Sequence, residues 1–122
     1  MRPRHKPNKP VIRIANLEAG RPTVHEALSK LDCELAAARR DGHKIVKLIH
    51  GYGSSGAGGD IRIAVQKRLV EMSGNGLIRA CIFGENWSRS DERTWKLLRA
   101  QPELKQDRDL GRRNQGITIV VL

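Results

Sequence analysis

The stretch from Lys44 to Arg62 constrains this chain more than any other. Lys44-Ile45-Val46-Lys47-Leu48-Ile49 is a short apolar-rich run that gives way at once to His50-Gly51-Tyr52-Gly53-Ser54-Ser55-Gly56-Ala57-Gly58-Gly59. Ile61, Val65, Leu69 and Met72 then recur at helical spacing. The glycines therefore join a strand to a helix from about Asp60 to Met72, with Asp60 as its N-cap. Such a junction lets backbone N–H groups approach an anion closely and aims the positive end of the helix at it. His50 and Arg62 bracket the loop, adding a titratable imidazole and a fixed positive charge.

The elements around this junction follow from pattern. Val11 to Asn16 reads as a first strand, and Thr23-Val24-His25-Glu26 fits a capping box that starts a helix. Val24, Leu28, Leu31, Leu35 and Ala38 give that helix an apolar stripe, and Gly42 stops it. Two strands joined through a helix form a βαβ unit with parallel pairing. Leu77 to Phe83 reads as a third strand, and Gly116-Ile117-Thr118-Ile119-Val120-Val121-Leu122 as a buried one. Between them, 84–115 is an expanded insertion with a short helix from Asp91 to Ala100, where the spacing places Trp95 in the core, followed by charged, irregular chain from Lys105 to Asn114. The expected architecture is α/β: a two-layer βαβαβ(β) sandwich with a mixed four-stranded sheet, two main helices and a short extra helix. Residues 1–10, with Pro3, Pro7 and Pro10 among basic side chains, form a disordered tail, and 11–122 one domain.

The net charge of +10 favours a polyanionic partner, because every phosphate that is neutralised releases condensed counterion. Arg2, Arg4, Lys6 and Lys9 supply part of that excess, and the rest belongs to the body. Cys33 and Cys81 stand too far apart for a CxxC pair and read as reduced packing residues of a cytoplasmic protein. No apolar run is long enough for a membrane span, so no membrane partner is expected. The four histidines are scattered without metal-ligand spacing, and neither a metal nor a cofactor is expected. Gly51 to Gly56 matches GxGxxG literally, yet it follows the second strand rather than the first, and Glu85 lies beyond the interval of about 20 residues that dinucleotide sites use. A nucleotide enzyme is the weakest of three readings.

His50 sits at the carboxyl end of a parallel strand, where open α/β sheets place their ligands, although a histidine there can equally cap the strand end through a backbone hydrogen bond. Tyr52 can stack on a base. Trp87 is open to either a core or a surface role.

With these residues in view, the chain resembles the Smr, or small MutS-related, domain family over about residues 11–83 and 115–122. The likeness rests on Val46-Lys47-Leu48-Ile49-His50-Gly51-Tyr52-Gly53, the Ile61-Arg62 pair, Thr23 to Leu28, and the closing strand. The resemblance implies a fold similar to the C-terminal domain of translation initiation factor three, and nucleic-acid binding with, in several members, nicking of DNA or cleavage of RNA, some on mRNA at stalled ribosomes. Carried over, His50, Gly51 and Gly53 match the family's His-Gly-x-Gly motif and Arg62 its helix arginine. Where the family has Leu-Asp-Leu-His-Gly, this chain has Leu17-Glu18-Ala19-Gly20-Arg21, so the motif histidine is missing and Glu18 stands nearest its aspartate. The expected function is RNA or DNA binding, with structure-specific cleavage using His50, Arg62 and Glu18. Gly51, Tyr52, Gly53, Ser54, Ser55, Gly56, Lys47 and Arg21 would contact the nucleic acid. The alternative is a non-catalytic adaptor on nucleic acid, a ribosome or another ribonucleoprotein, docking through 84–115.

Overall fold

A computed structural model describes residues 10–52 and 58–122. The basic tail up to Lys9, together with Gly53, Ser54, Ser55 and Gly56 of the glycine loop, lies outside the described residues.

The chain is α/β, built on a mixed four-stranded sheet. Strand β1 (Ile12–Asn16) leads to helix α1 (Val24–Arg40), then β2 (Ile45–Ile49), helix α2 (Gly58–Gly74), β3 (Ala80–Phe83), helix α3 (Glu92–Ala100) and β4 (Ile117–Val121). Strand order is β1-β2-β4-β3, with β1 parallel to β2 and β4 antiparallel to both its neighbours. The capping box at α1 forms as the sequence dictates: Thr23 Oγ1 accepts from the Glu26 N–H at 3.1 Å, and the Glu26 carboxylate accepts from the Thr23 N–H at 2.9 Å. Gly42, at φ +81°, takes the left-handed turn that ends the helix. Helix α2 starts at Gly58, two residues before the expected cap, so Asp60 lies inside the first turn, where a carboxylate still complements the helix dipole. Strand β3 is shorter than its apolar sequence implies, because the Leu77 N–H is used to close the end of α2 on the Met72 carbonyl and its side chain faces solvent.

The alternation of the strands divides the core in two. Ala15, Val46, Leu48, Cys81 and Val120 face α1 and α2, meeting Leu31, Leu35, Ile61, Val65 and Leu69. Ile45, Ile82, Ile117 and Ile119 point to the opposite face, where the insertion covers them with Trp87, Leu98 and Leu104. Helix and sheet thus form the two-layer sandwich, and the insertion roofs the sheet's second face. Lys47 belongs to that second face and is 2% exposed. Its ammonium donates to Asp107 at 2.8 Å and pairs with Asp109 at 2.5 Å, while Asp107 also accepts from the Trp87 indole N–H at 2.9 Å. Lys47 is therefore an internal cation that fastens the insertion and does not reach the surface to meet phosphate.

The two tryptophans separate cleanly. Trp87 is fully buried, whereas Trp95 is 48% exposed, contrary to its expected place in the core. Thr94 and Leu98 form the buried face of α3, so Trp95, one position on, is rotated outward and carries the Arg99 guanidinium 4.7 Å above its ring. Of the cysteines, Cys81 packs inside as expected and Cys33 is exposed on the outer side of α1. Among the described residues no helix is long and apolar enough to cross a membrane.

Candidate nucleic-acid interface

Register builds the site. Asn16 pairs with Ile49 at the ends of β1 and β2, and Leu17 N–H continues the ladder to the Ile49 carbonyl at 2.7 Å. The next step along both chains sets Glu18 beside Gly51. Asn16 Oδ1 holds this corner by accepting from the Glu18 and Ala19 N–H groups, both at 3.0 Å. Gly51 has φ +74°, which favours glycine, and a Cβ there would lie 2.1 Å from Glu18 Oε2 and push the carboxylate aside. The chain entering β4 completes the same end of the sheet: Gly116 O accepts from the N–H groups of His50 and Gly51 at 2.9 and 3.0 Å.

His50 is fully buried, with both ring nitrogens engaged. Nδ1 lies 2.7 Å from the Gly51 carbonyl, which only accepts, so the proton sits on Nδ1. Nε2 is consequently the acceptor, taking the Thr118 hydroxyl proton at 2.8 Å, and the Gln66 amide donates to that hydroxyl at 3.4 Å. Burial pushes the His50 pKa down and outweighs the raising effect of the Gly51 hydrogen bond; the Arg62 charge lowers it further while Glu18 and Glu85 oppose. Sequence leaves His50 equally open as a strand-end cap; its bond to the Gly51 carbonyl is that cap, and Thr118, the lone hydroxyl in an apolar strand, is the partner sequence reading missed.

The neutral ring has a thermodynamic consequence. An unfolded imidazole protonates at about pH 6.5, whereas the native one resists, so the unfolded state binds the extra proton. Stability from this group is complete above that pH and falls as pH drops through the window below it. The unfolding free energy from urea titrations should decrease between about pH 7.5 and 5.5, with a slope of up to about 1.4 kcal/mol per pH unit from this site. His50→Gln should flatten that part of the slope; an unchanged slope would show that His50 is not held neutral.

Arg62 in the first turns of α2 and Glu85 after β3 stand close enough to His50 to act on it electrostatically. Each is partly buried, and Arg62 Nε and Glu85 Oε1 have no hydrogen-bond partner among the described residues. Arg21 is exposed in the loop after β1, with φ +52°. Glu18, His50, Gly51 and Arg62 are thus gathered at one end of the sheet, whereas Lys47 is withdrawn beneath the insertion.

Beside them opens a cleft of about 670 Å³, lined by Tyr52, Arg108, Asp109, Arg112, Arg113, Asn114 and Gln115. Tyr52 is 58% exposed, and Gly116 leaves room for its ring: a Cβ at Gly116 would lie 3.1 Å from Tyr52 Cδ1. The three arginines lie in the charged tract from Lys105 to Asn114, expected to be irregular, and were not singled out from sequence because their nearness to Tyr52 depends on how the insertion folds back. Arg113 has φ +54°, a left-handed conformation that costs a non-glycine residue about 1 kcal/mol or more. No carboxylate of the described residues forms an ion pair with Arg108, Arg112 or Arg113. Among the described residues no group of three or more His, Cys, Asp or Glu side chains is placed to hold a metal ion.

No protein-family model, curated protein or solved structure matches this chain.

Proposed function

We propose that the chain is an Smr-like domain that binds RNA or DNA at the carboxyl end of β1 and β2, in the cytoplasm. The observation carrying this reading is the cleft in which an exposed tyrosine adjoins three arginines that form no ion pair with a carboxylate among the described residues. Arginine suits phosphate oxygens through its planar fork of donors, and the net charge of +10 draws a polyanion toward it. Arg21 adds a further exposed cation. Binding without chemistry, as an adaptor on nucleic acid or a ribonucleoprotein, is favoured by the burial of His50 and by the engagement of both its nitrogens. Cleavage is the second reading, supported by Glu18, Arg62 and His50 sharing one end of the sheet; His50 would then manage a proton and Arg62 would stabilise developing charge.

The test is a binding isotherm for structured RNA and for DNA across a salt series, with strand breaks scored on the same samples. Wild-type protein should bind with a steep salt dependence. Replacing Arg108, Arg112 and Arg113 together by Ala should weaken binding and reduce the slope of log affinity against log salt by about 2 to 3, since each phosphate contact contributes roughly 0.7 to 0.9. An unchanged slope would remove the cleft from the interface. Breaks made by the wild type would favour the nuclease reading, and salt-sensitive binding without breaks the adaptor.

A further inference from the structure

Resting on that reading, we infer that the cleft beside Tyr52 takes unpaired nucleotides, with a base face on the Tyr52 ring and the adjoining phosphates on Arg108, Arg112 and Arg113. The argument begins with what each lining residue has left to offer. Asp109 is the only acid among the described residues that line the cleft, and Lys47 pairs with it from inside the protein. Burial raises the Asp109 pKa, but hydrogen bonds from Lys47 and Asn114 and the charges of Lys47 and Arg108 outweigh it, holding the carboxyl below its usual value. Its negative charge is thus answered mainly from beneath by Lys47, with Arg108 adding a share, and the exposed Arg108, Arg112 and Arg113 form no ion pair with a carboxylate among the described residues. Asn114 is also engaged within the protein, donating to Asp109 at 3.1 Å and accepting from the Gly116 N–H at 2.8 Å. Tyr52, Gln115 and the guanidinium groups remain for a ligand.

This set is one aromatic surface, one amide and several cations. It lies within a hollow whose volume falls in the range of about 300–1,000 Å³ typical of small-ligand sites. Aromatic faces stack on base faces whatever the base, and cations follow the backbone, which is how single strands are held without sequence reading. A duplex hides its base faces in the stack and shows only edges in its grooves, so it cannot use Tyr52 in this way. Stacking on Tyr52 is indifferent to the base, so the site is expected to discriminate little between bases. The ring is also held: Gly116 supports one edge, and the neighbouring Gly51 is pinned to the Gly116 carbonyl. Arg113 keeps its strained backbone at the rim, where it also borders a second hollow with Glu85, Asn86, Ser88, Ser90, Asp91 and Gln115.

Fluorescence anisotropy would decide the matter. The probes are labelled single strands of about a dozen nucleotides, as RNA and as DNA, and a fully paired duplex of the same sequence. The wild type should bind the single strands at least about tenfold more tightly than the duplex. Tyr52→Ala should weaken single-strand binding by roughly five- to 150-fold, the range found for loss of one stacked base, while changing duplex binding little. Tyr52→Phe should retain the preference, since the ring and not the hydroxyl carries it. Equal affinity for duplex, or single-strand binding indifferent to Tyr52→Ala in a protein whose unfolding midpoint is unchanged, would overturn the inference and leave nucleic-acid binding standing. No binding to any of the three probes would overturn both.

Discussion

Lys47→Ala should cost about 3–5 kcal/mol of folding stability at neutral pH, because it leaves two carboxylates beneath the insertion without their cation. Asp107 and Asp109 are each within 3 Å of the Lys47 ammonium, and the lysine side chain is almost wholly inside. A surface pair of the same composition would contribute at most about 1 kcal/mol, so the size of the loss distinguishes an internal clamp from a superficial one. The measurement is urea unfolding of wild type and variant, with the slope against denaturant compared as a check that both unfold over the same surface. A loss under 1 kcal/mol would mean that the carboxylates reach water when the cation is removed. Acid sharpens the comparison. The depressed native pKa of Asp109 means that its contribution is present above the ordinary carboxylate range and lost as pH falls through the native value. The gap between wild type and variant should therefore narrow below about pH 4.

Trp87→Ala should be comparably damaging, at about 3–5 kcal/mol. The indole is completely buried against the isoleucine face of the sheet, and its N–H satisfies Asp107, so truncation opens a cavity and removes one of that carboxylate's donors. Trp87→Phe separates the two effects: it keeps most of the ring volume and loses only the donor, and should cost about 1–3 kcal/mol. Combining Trp87→Phe with Lys47→Ala should give a loss that differs from the sum of the single losses, since both act on Asp107. Strict additivity would show that the shared carboxylate does not couple them. A near-neutral Trp87→Ala would contradict the view that 84–115 is packed as a roof.

Much of the sheet side of this architecture was legible because its signals are local. The capping box at Thr23, the β-branched closing run and the spacing of Ile61, Val65 and Leu69 each specify an element through neighbours in sequence. The strand register then places Glu18 next to Gly51, a proximity that a parallel βαβ unit brings about once its ends are aligned. What escaped was decided by long-range folding of the insertion. Lys47 alternates onto the sheet face that sequence reading left uncovered, and a lysine there looks solvent-exposed until Asp107 and Asp109 arrive from 60 residues onward. Trp95 leaves its expected place in the core, and Trp87, open to either role in the sequence, takes the buried one, for the same reason. The arginines of the cleft, carried on turns that pass through Gly111 and Arg113, have no periodicity to announce them.

Strand β4 lies between β2 and β3 although it follows both along the chain. Those two earlier strands share no ladder, so the sheet exists as separate pieces until the last strand slides between them. As the polypeptide is made, the completed βαβ half must wait with one side of β2 unpaired, and β3 waits with its own hydrogen-bonding edge open. Contacts this distant in sequence slow folding, and open edges invite pairing with another chain. The segment carrying the cleft is synthesised during that interval, and its roof is secured only when the final strand brings Ile117 and Ile119 beneath it.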